Sequence, residues 1–291
     1  NVVSNNAMNT VLMFLFHFFK VLSYENTFIA AMLTVFPSSL YLAHKMLGIE
    51  RYDFDRFVVR PACTYLYRLP EVLKKNARGD IQPETCSHIR FKRGKYSKRC
   101  NASLFKQVVL KNGKVAYYPL KVYCYRHVTT SLEKILSRDG FEDLCDGWRE
   151  RESRRGVYRD VYDGNIWKDF EKNNEYFFNL PNNYGFMINC DWFQPFDRRK
   201  DISVGVIYMV LLNIPREIRC KRENVILVGI IPNLSKEPAS LNSFLRPLVD
   251  ELKVMWAGLP LRTFKHPKGV IVRAALLCAA ADIPAARDRK S

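Results

Sequence analysis

Hydrophobic and polar positions divide the chain into stretches of distinct character. Val11–Leu22 (VLMFLFHFFKVL) is the most apolar, but His17 and Lys20 interrupt it, and Ser23, Glu25 and Asn26 precede the next apolar block at Phe28–Phe36. Neither block reaches the roughly 18–20 clean apolar residues that a spanning helix needs, so the pair predicts two packed helices. Pro37-Ser38-Ser39 stops the second helix and offers a serine to cap a third, running through Leu47. Residues 1–50 therefore read as an N-terminal helical segment. Arg51–Val108 loses periodicity and fills with Arg, Lys, Cys and His. Val115–Tyr125 predicts a strand that Pro119 breaks or confines to an edge. Ser131–Arg149 predicts a helix, with Leu132, Ile135, Leu136, Leu144 and Trp148 near helical spacing and a break at Gly140. The charged run Arg149–Asp169 reads as a solvated connection.

From Tyr184 the pattern sharpens. Tyr184–Cys190, Ile202–Ile214 and Asn224–Ile231 are rich in β-branched or bulky apolar residues and bounded by Pro, Asn or charge, which predicts three strands. Ser240–Trp256 carries Leu241, Phe244, Leu245, Leu248, Leu252 and Met255 at helical spacing. Val270–Ala281 is apolar throughout and starts as a strand. Short links between the first three strands predict an antiparallel meander. A right-handed helical crossover then places the fourth strand parallel to a partner in the sheet. If that partner is the first strand, the order is that of an RNase H-like core, an α/β fold with a mixed sheet.

Charge adds a partner class. The 46 basic residues exceed the 29 acidic ones, giving +17. Such an excess favours polyanions by attraction and counterion release, nucleic acid first and an anionic membrane surface second. The eight cysteines are spread along the chain, and no signal peptide precedes them, so reduced thiols in an intracellular protein are expected.

Two aspartates stand where this topology makes them interesting. Asp191 closes the first strand, and burying an unpaired charge there is costly unless a cation or basic partner offsets it. Asp282 directly follows Ala274–Ala281. If the first and fourth strands are parallel neighbours, both acids leave the same end of the sheet, within reach of shared divalent cations. The alternative is that each merely begins or caps a turn. Asp250 and Glu251, on the Ser240–Trp256 helix, are further ligand candidates, and Asp250 reads instead as a solvated or helix-pairing residue.

The quoted segments resemble the catalytic core of CACTA-type (En/Spm-like) DNA transposases. The resemblance is carried by Asp191-Trp192-Phe193-Gln194-Pro195-Phe196, by NIPREIRCKRENVILVGIIP at Asn213–Pro232, by FLRPLVDEL at Phe244–Leu252 and by RAALLCAAADIPA at Arg273–Ala285. It implies an RNase H-like fold and Mg²⁺- or Mn²⁺-dependent cleavage and strand transfer of DNA at transposon ends. Three carboxylates would carry that reaction, and Asp191 and Asp282 match the first two. The third, normally a Glu far downstream, has no counterpart, and Ala286–Ser291 leaves the family pattern. The chain, which begins at Asn1, therefore reads as a fragment whose chemistry is incomplete.

Cys63, Cys86, His88 and Cys100 lie in the basic segment and form a ligand set for structural Zn²⁺. Arg60 stands where a Cys-x-x-Cys pair would begin, and the resemblance implies a Cys-x-x-Cys, Cys-x-His, Cys arrangement that has lost its first ligand here. Arg90, Lys92, Arg93, Lys95, Lys98 and Arg99 are candidates for phosphate contacts beside it. Arg149, Arg151, Arg154, Arg155 and Arg159 form a second basic cluster. His127 and His266 read as surface or hydrogen-bonded residues, and no Gly-rich phosphate loop or nucleophile elbow is present.

The expected organisation is a helical segment (1–50), a degenerate zinc-ribbon-like module (51–110), a linking α/β segment (111–180) and an RNase H-like core (181–291). Two readings follow: a nuclear, transposase-derived enzyme acting on DNA, or a non-catalytic DNA-binding or interaction remnant of one. Neither has a small-molecule substrate or a membrane partner, and self-association stays open.

Overall fold

A computed structural model describes residues 5–24, 26–46, 54–77, 80–89, 97–152, 154, 156–199, 201–234, 238 and 240–280. The chain divides into two compact units, Asn1–Asp53 and Phe54–Ser291.

The first unit holds α1 (Asn5–Leu22), α2 (Thr27–Val35) and α3 (Leu40–Met46). Asn26 caps α2, its Oδ1 accepting from the N–H groups of Phe28 and Ile29. Ser39 caps α3 by accepting from Leu42 N–H at 3.3 Å. Asn9 Oδ1 accepts from Leu40 N–H and ties α1 to the start of α3. The three helices expected from the apolar pattern are present. Among the described residues no helix is long and apolar enough to cross a membrane.

The second unit is a mixed α/β structure on one eight-stranded sheet. Its strands are β1 (Asp55–Val59), β2 (Leu66–Arg68), β3 (Val122–Tyr125), β4 (Asn183–Phe193), β5 (Val204–Leu211), β6 (Val225–Ile231), β7 (Leu259–Leu261) and β8 (Val270–Ala280). Their order across the sheet is β7-β8-β4-β5-β6-β3-β1-β2. β4, β5 and β6 form the antiparallel meander expected from their short links. Helix α6 (Asn242–Ala257) carries the chain away, and β8 returns parallel to β4. All of Val270–Ala280 is strand, and Ala281 lies outside the described residues. The sheet is continuous with β3 and β1, because Gly229 and Ile230 of β6 pair with Tyr125 and Cys124 of β3.

Side-chain alternation assigns the two faces of β4. Tyr184, Phe186 and Ile188 enter the main core with Phe244, Leu248 and Met255 of α6 and with Leu132, Ile135 and Leu136 of α4 (Val128–Leu136). The opposite face, at Gly185 and Met187, is covered by Tyr162, Trp167, Phe177 and Phe178. Trp167 and Phe178 stack at 3.8 Å. A Cβ on Gly185 would lie 2.9 Å from the Trp167 ring, so this approach requires glycine.

That cover corrects one expectation. Arg149–Asp169 is not a solvated connection throughout, since Tyr162, Asp163 and Trp167 are buried. Two of its acids, Asp160 and Asp163, are neutralised within the fold. Arg219 donates to both Asp160 oxygens at 2.8 and 2.9 Å, and further to the carbonyls of Leu212 and Ile214. Asp163 accepts from Arg151 and from the backbone N–H groups of Arg159 and Asp160. The predicted 131–149 helix does break at Gly140, whose φ of 69° is left-handed, into α4 and α5 (Phe141–Asp146).

Candidate functional site

Asp191 lies inside β4, two residues before its end, paired opposite Val206 of β5. Alternation puts it on the face of Met187 and Asn189, away from the main core. Its carboxylate is exposed, and Oδ1 accepts from Trp192 N–H at 2.7 Å. The cost of burying a charge, expected at this position, therefore does not arise. What holds the strand end in place is Trp192 on the opposite face, packed so closely over Gly205 that a Cβ there would meet its ring at 2.9 Å.

β4 and β8 are in parallel register, with a bulge after Phe186, and their last pair is Asn189 with Ala280. Asp191 and Asp282 each stand two residues beyond that pair in the sequence. Asp282 itself lies outside the described residues.

Beside Asp191, a cavity of about 270 Å³ is lined by Met187, Asn189, Tyr208, Val210, Cys220 and Val225. Asn189 Oδ1 is buried there without a hydrogen-bond partner. Burial, and then the charge of Asp191, raise the Tyr208 phenol above its ordinary value. Nothing in the sequence singled out Asn189 or Tyr208; only the register Asn189–Tyr208 brings them together.

The acids of α6 are engaged elsewhere. Asp250 is exposed and lies 3.9 Å from Arg246 and 4.0 Å from Lys253. Glu251 is buried against the start of α4. Its carboxylate accepts from Tyr125 Oη, Val128 N–H, Thr129 N–H and Thr129 Oγ1. It caps that helix from a distant element. His127 and His266 are hydrogen-bonded as expected, to Asp55 and to Thr263.

The second candidate site sits at the other side of the sheet. The sulfur atoms of Cys63, Cys86 and Cys100 all lie within 4.8 Å of one another and could hold a metal ion. Cys63 and Cys86 are 3.6 Å apart. Cys63 is in the turn between β1 and β2, closed by Thr64 N–H donating to the Arg60 carbonyl. Cys86 and Cys100 are brought together by antiparallel bridges at Thr85–Ser103 and Ile89–Arg99. The small core beneath contains Val58, Tyr67, Val72, Leu104 and Phe105. Two backbone N–H groups point at sulfur, that of Tyr65 at Cys63 and that of Ala102 at Cys100. Thr64 and Asn101, the residues between, have φ of 54° and 48°, the left-handed geometry these turns need.

His88 is not in this group; its ring packs on Tyr65 at a centroid distance of 5.0 Å. The cluster instead has the Arg60 charge beside Cys100. Burial alone would raise the Cys100 thiol. The Arg60 hydrogen bond, the Ala102 N–H, Cys86 and the Arg60 charge together outweigh it and hold the thiol below its ordinary value. Burial pushes Cys63 up to about 12.

Of the predicted phosphate contacts, Lys98 and Arg99 are exposed, and Arg90, Lys92, Arg93 and Lys95 lie outside the described residues. In the second basic cluster, Arg149 is bound to Asp146 and to the carbonyls of Asn179 and Leu180, Arg151 to Asp163, and Arg154 to Glu152. Arg155 also lies outside the described residues.

Residues 155–289 match the family profile described as transposase family tnp2. This stretch is similar to transposase family tnp2. It spans just under half of the chain and contains β4 to β8, α6 and both aspartates. The match agrees with the coarser part of the sequence resemblance. The Cys63–Cys100 region lies before the transposase-family stretch. No curated protein matches the chain.

Proposed function

We propose that this chain derives from a CACTA-type (En/Spm-like) DNA transposase with an RNase H-like core whose ancestral activity is DNA cleavage and strand transfer at transposon ends in the nucleus. The observation that carries the reading is the parallel β4–β8 register ending at Asn189 and Ala280, inside the transposase-family match. The strand order β8-β4-β5-β6, with a helical crossover before β8, supports the RNase H-like fold. In the sequence, Asp191 and Asp282 each follow this last pair by two residues.

The donor chemistry suits a hard cation: the exposed Asp191 carboxylate, with Asp282 as a second acid following β8 in the sequence. Bound Mg²⁺ or Mn²⁺ supplies activation of a water or 3′-hydroxyl and stabilisation of the leaving oxygen. Asp191 and Asp282 are the residues that would hold it. Trp192 N–H fixes the Asp191 carboxylate, and Trp192 over Gly205 anchors the strand end. Lys98 and Arg99, with Arg90, Lys92, Arg93 and Lys95, would neutralise phosphates of the DNA.

One observation favours the second reading, a non-catalytic DNA-binding or interaction remnant. Asp250 and Glu251, the acids of the crossover helix nearest the family motif, pair with Arg246 and cap α4 and so supply no third carboxylate. A nicking and strand-transfer assay with Mg²⁺ or Mn²⁺ separates the two. The enzyme reading expects metal-dependent product that falls by at least about 100-fold in Asp191→Asn and in Asp282→Asn. Salt-sensitive DNA binding with no product in any metal, unchanged by either substitution, would leave the remnant.

A further inference from the structure

The thiol cluster has three sulfurs and a cation already beside them. A tetrahedral structural zinc needs four donors, ordinarily thiolate or imidazole. Here the only imidazole in the motif, His88, faces Tyr65 and stands outside the group. Arg60 lies three residues before Cys63, at the spacing from which a fourth thiolate would complete a zinc knuckle, and its guanidinium is close enough to Cys100 to act on that thiol. A guanidinium offers five donors, no lone pair and a permanent charge, so it cannot ligate a metal and it repels one. Its Nε is buried without a hydrogen-bond partner, so the side chain is committed to the cluster and not turned out to solvent.

The rest of the module is tied together by its own side chains and backbone. Cys86 is fully buried in a small core with Val58, Tyr67, Val72, Leu104 and Phe105. Tyr67 Oη lies 3.4 Å from Cys86 Sγ and accepts from Ser87 N–H at 2.9 Å. Backbone bonds from Cys86 to Ala102, from Cys100 to His88 and from Asn101 to Cys86 lock the two arms together.

We propose that the Arg60 guanidinium takes the fourth corner of the Cys63–Cys86–Cys100 cluster, making it a metal-independent core that Arg60→Cys would convert into a four-thiolate zinc site. The inference is independent of the reading of Asp191 and Asp282.

The test is zinc uptake by the full chain. Reduced protein is equilibrated with Zn²⁺ against a chromophoric chelator, and its thermal unfolding is followed with and without EDTA. The wild type is expected to hold well under one equivalent and to melt at the same temperature in EDTA. Arg60→Cys is expected to hold one equivalent, with affinity raised beyond the roughly 10–100-fold that outer-shell partners of a metal contribute, and to lose that gain in EDTA. Arg60→Gln, which removes the charge without adding a ligand, is expected to gain less than Arg60→Cys and to melt below the wild type. One tightly held equivalent in the wild type, or a wild-type melting temperature lowered by EDTA, overturns the proposal whether or not the variants fold. Equal zinc affinity of Arg60→Gln and a folded Arg60→Cys would also overturn it.

Discussion

At the scale of single residues, Glu251 shows how little a helical position says about its role. Asp250 and Glu251 are adjacent acids on one amphipathic helix, yet one is exposed beside Arg246 and the other is buried under four donors. Sequence spacing could not separate them, because the donors come from Tyr125, Val128 and Thr129, more than 120 positions away. Both oxygens of Glu251 accept, so Glu251→Gln must aim an amide nitrogen at donors. The expected loss is about 2 kcal/mol in urea unfolding, and an unchanged midpoint would refute the capping role. Asp163 offers a test by pH. Backbone N–H groups of Arg159 and Asp160, then the Arg151 side chain, hold its carboxyl down to about 2. Its folded value lies below the unfolded one of about 3.9, so its contribution is complete above that and is lost as pH falls towards 2. Unfolding measured across this window should show wild-type stability dropping more steeply than that of Asp163→Asn. Asp191, by contrast, was legible as a candidate from its place after an apolar strand, but the reasoning from buried charge was not, because alternation puts it on the exposed face.

At the scale of elements, strands and helices whose partners lie nearby in sequence were readable. The β4–β5–β6 meander and the crossover through α6 follow from short links and periodicity. β4 itself runs to Phe193, beyond the expected Cys190, because Asp191, Trp192 and Phe193 pair with Val206, Gly205 and Val204. That pairing overrides the weak local preference of the Asp-Trp-Phe stretch. The charged run from Arg149 to Asp169 was misread for a related reason. Its acids are neutralised by Arg219 and Arg151, and Arg219 comes from after β5. The aromatic cover that this run places on β4 depends on Gly185. Gly185→Ala forces its methyl into Trp167, Phe178 and Leu277, with contacts at 2.9–3.2 Å. A destabilisation of about 2 kcal/mol is expected, with a blue shift lost from tryptophan fluorescence as Trp167 is pushed outward. Wild-type stability and spectrum in that variant would mean that the cover is not seated there.

At the scale of the whole molecule, the +17 charge pointed to a polyanion but not to where it binds. The arginines at 149, 151 and 154 are spent on internal partners, which leaves Lys98 and Arg99 as described, exposed members of the more promising cluster. If they meet phosphates, replacing both with Ala should lower the slope of log affinity against log salt by about 2, near 0.9 per contact. An unchanged slope would assign them to solvent. The organisation into successive segments was also drawn from composition, whereas hydrogen bonding runs across it: β3, from the region before residue 180, completes the outer side of β6. A fragment that starts at 181 would bare the carbonyl and amide groups of β6 that Cys124 and Tyr125 normally satisfy. Such an unsatisfied rim recruits further chains into intermolecular sheets. Anyone excising the aspartate-bearing half for crystallisation would do better to cut at Phe54, where the compact unit begins.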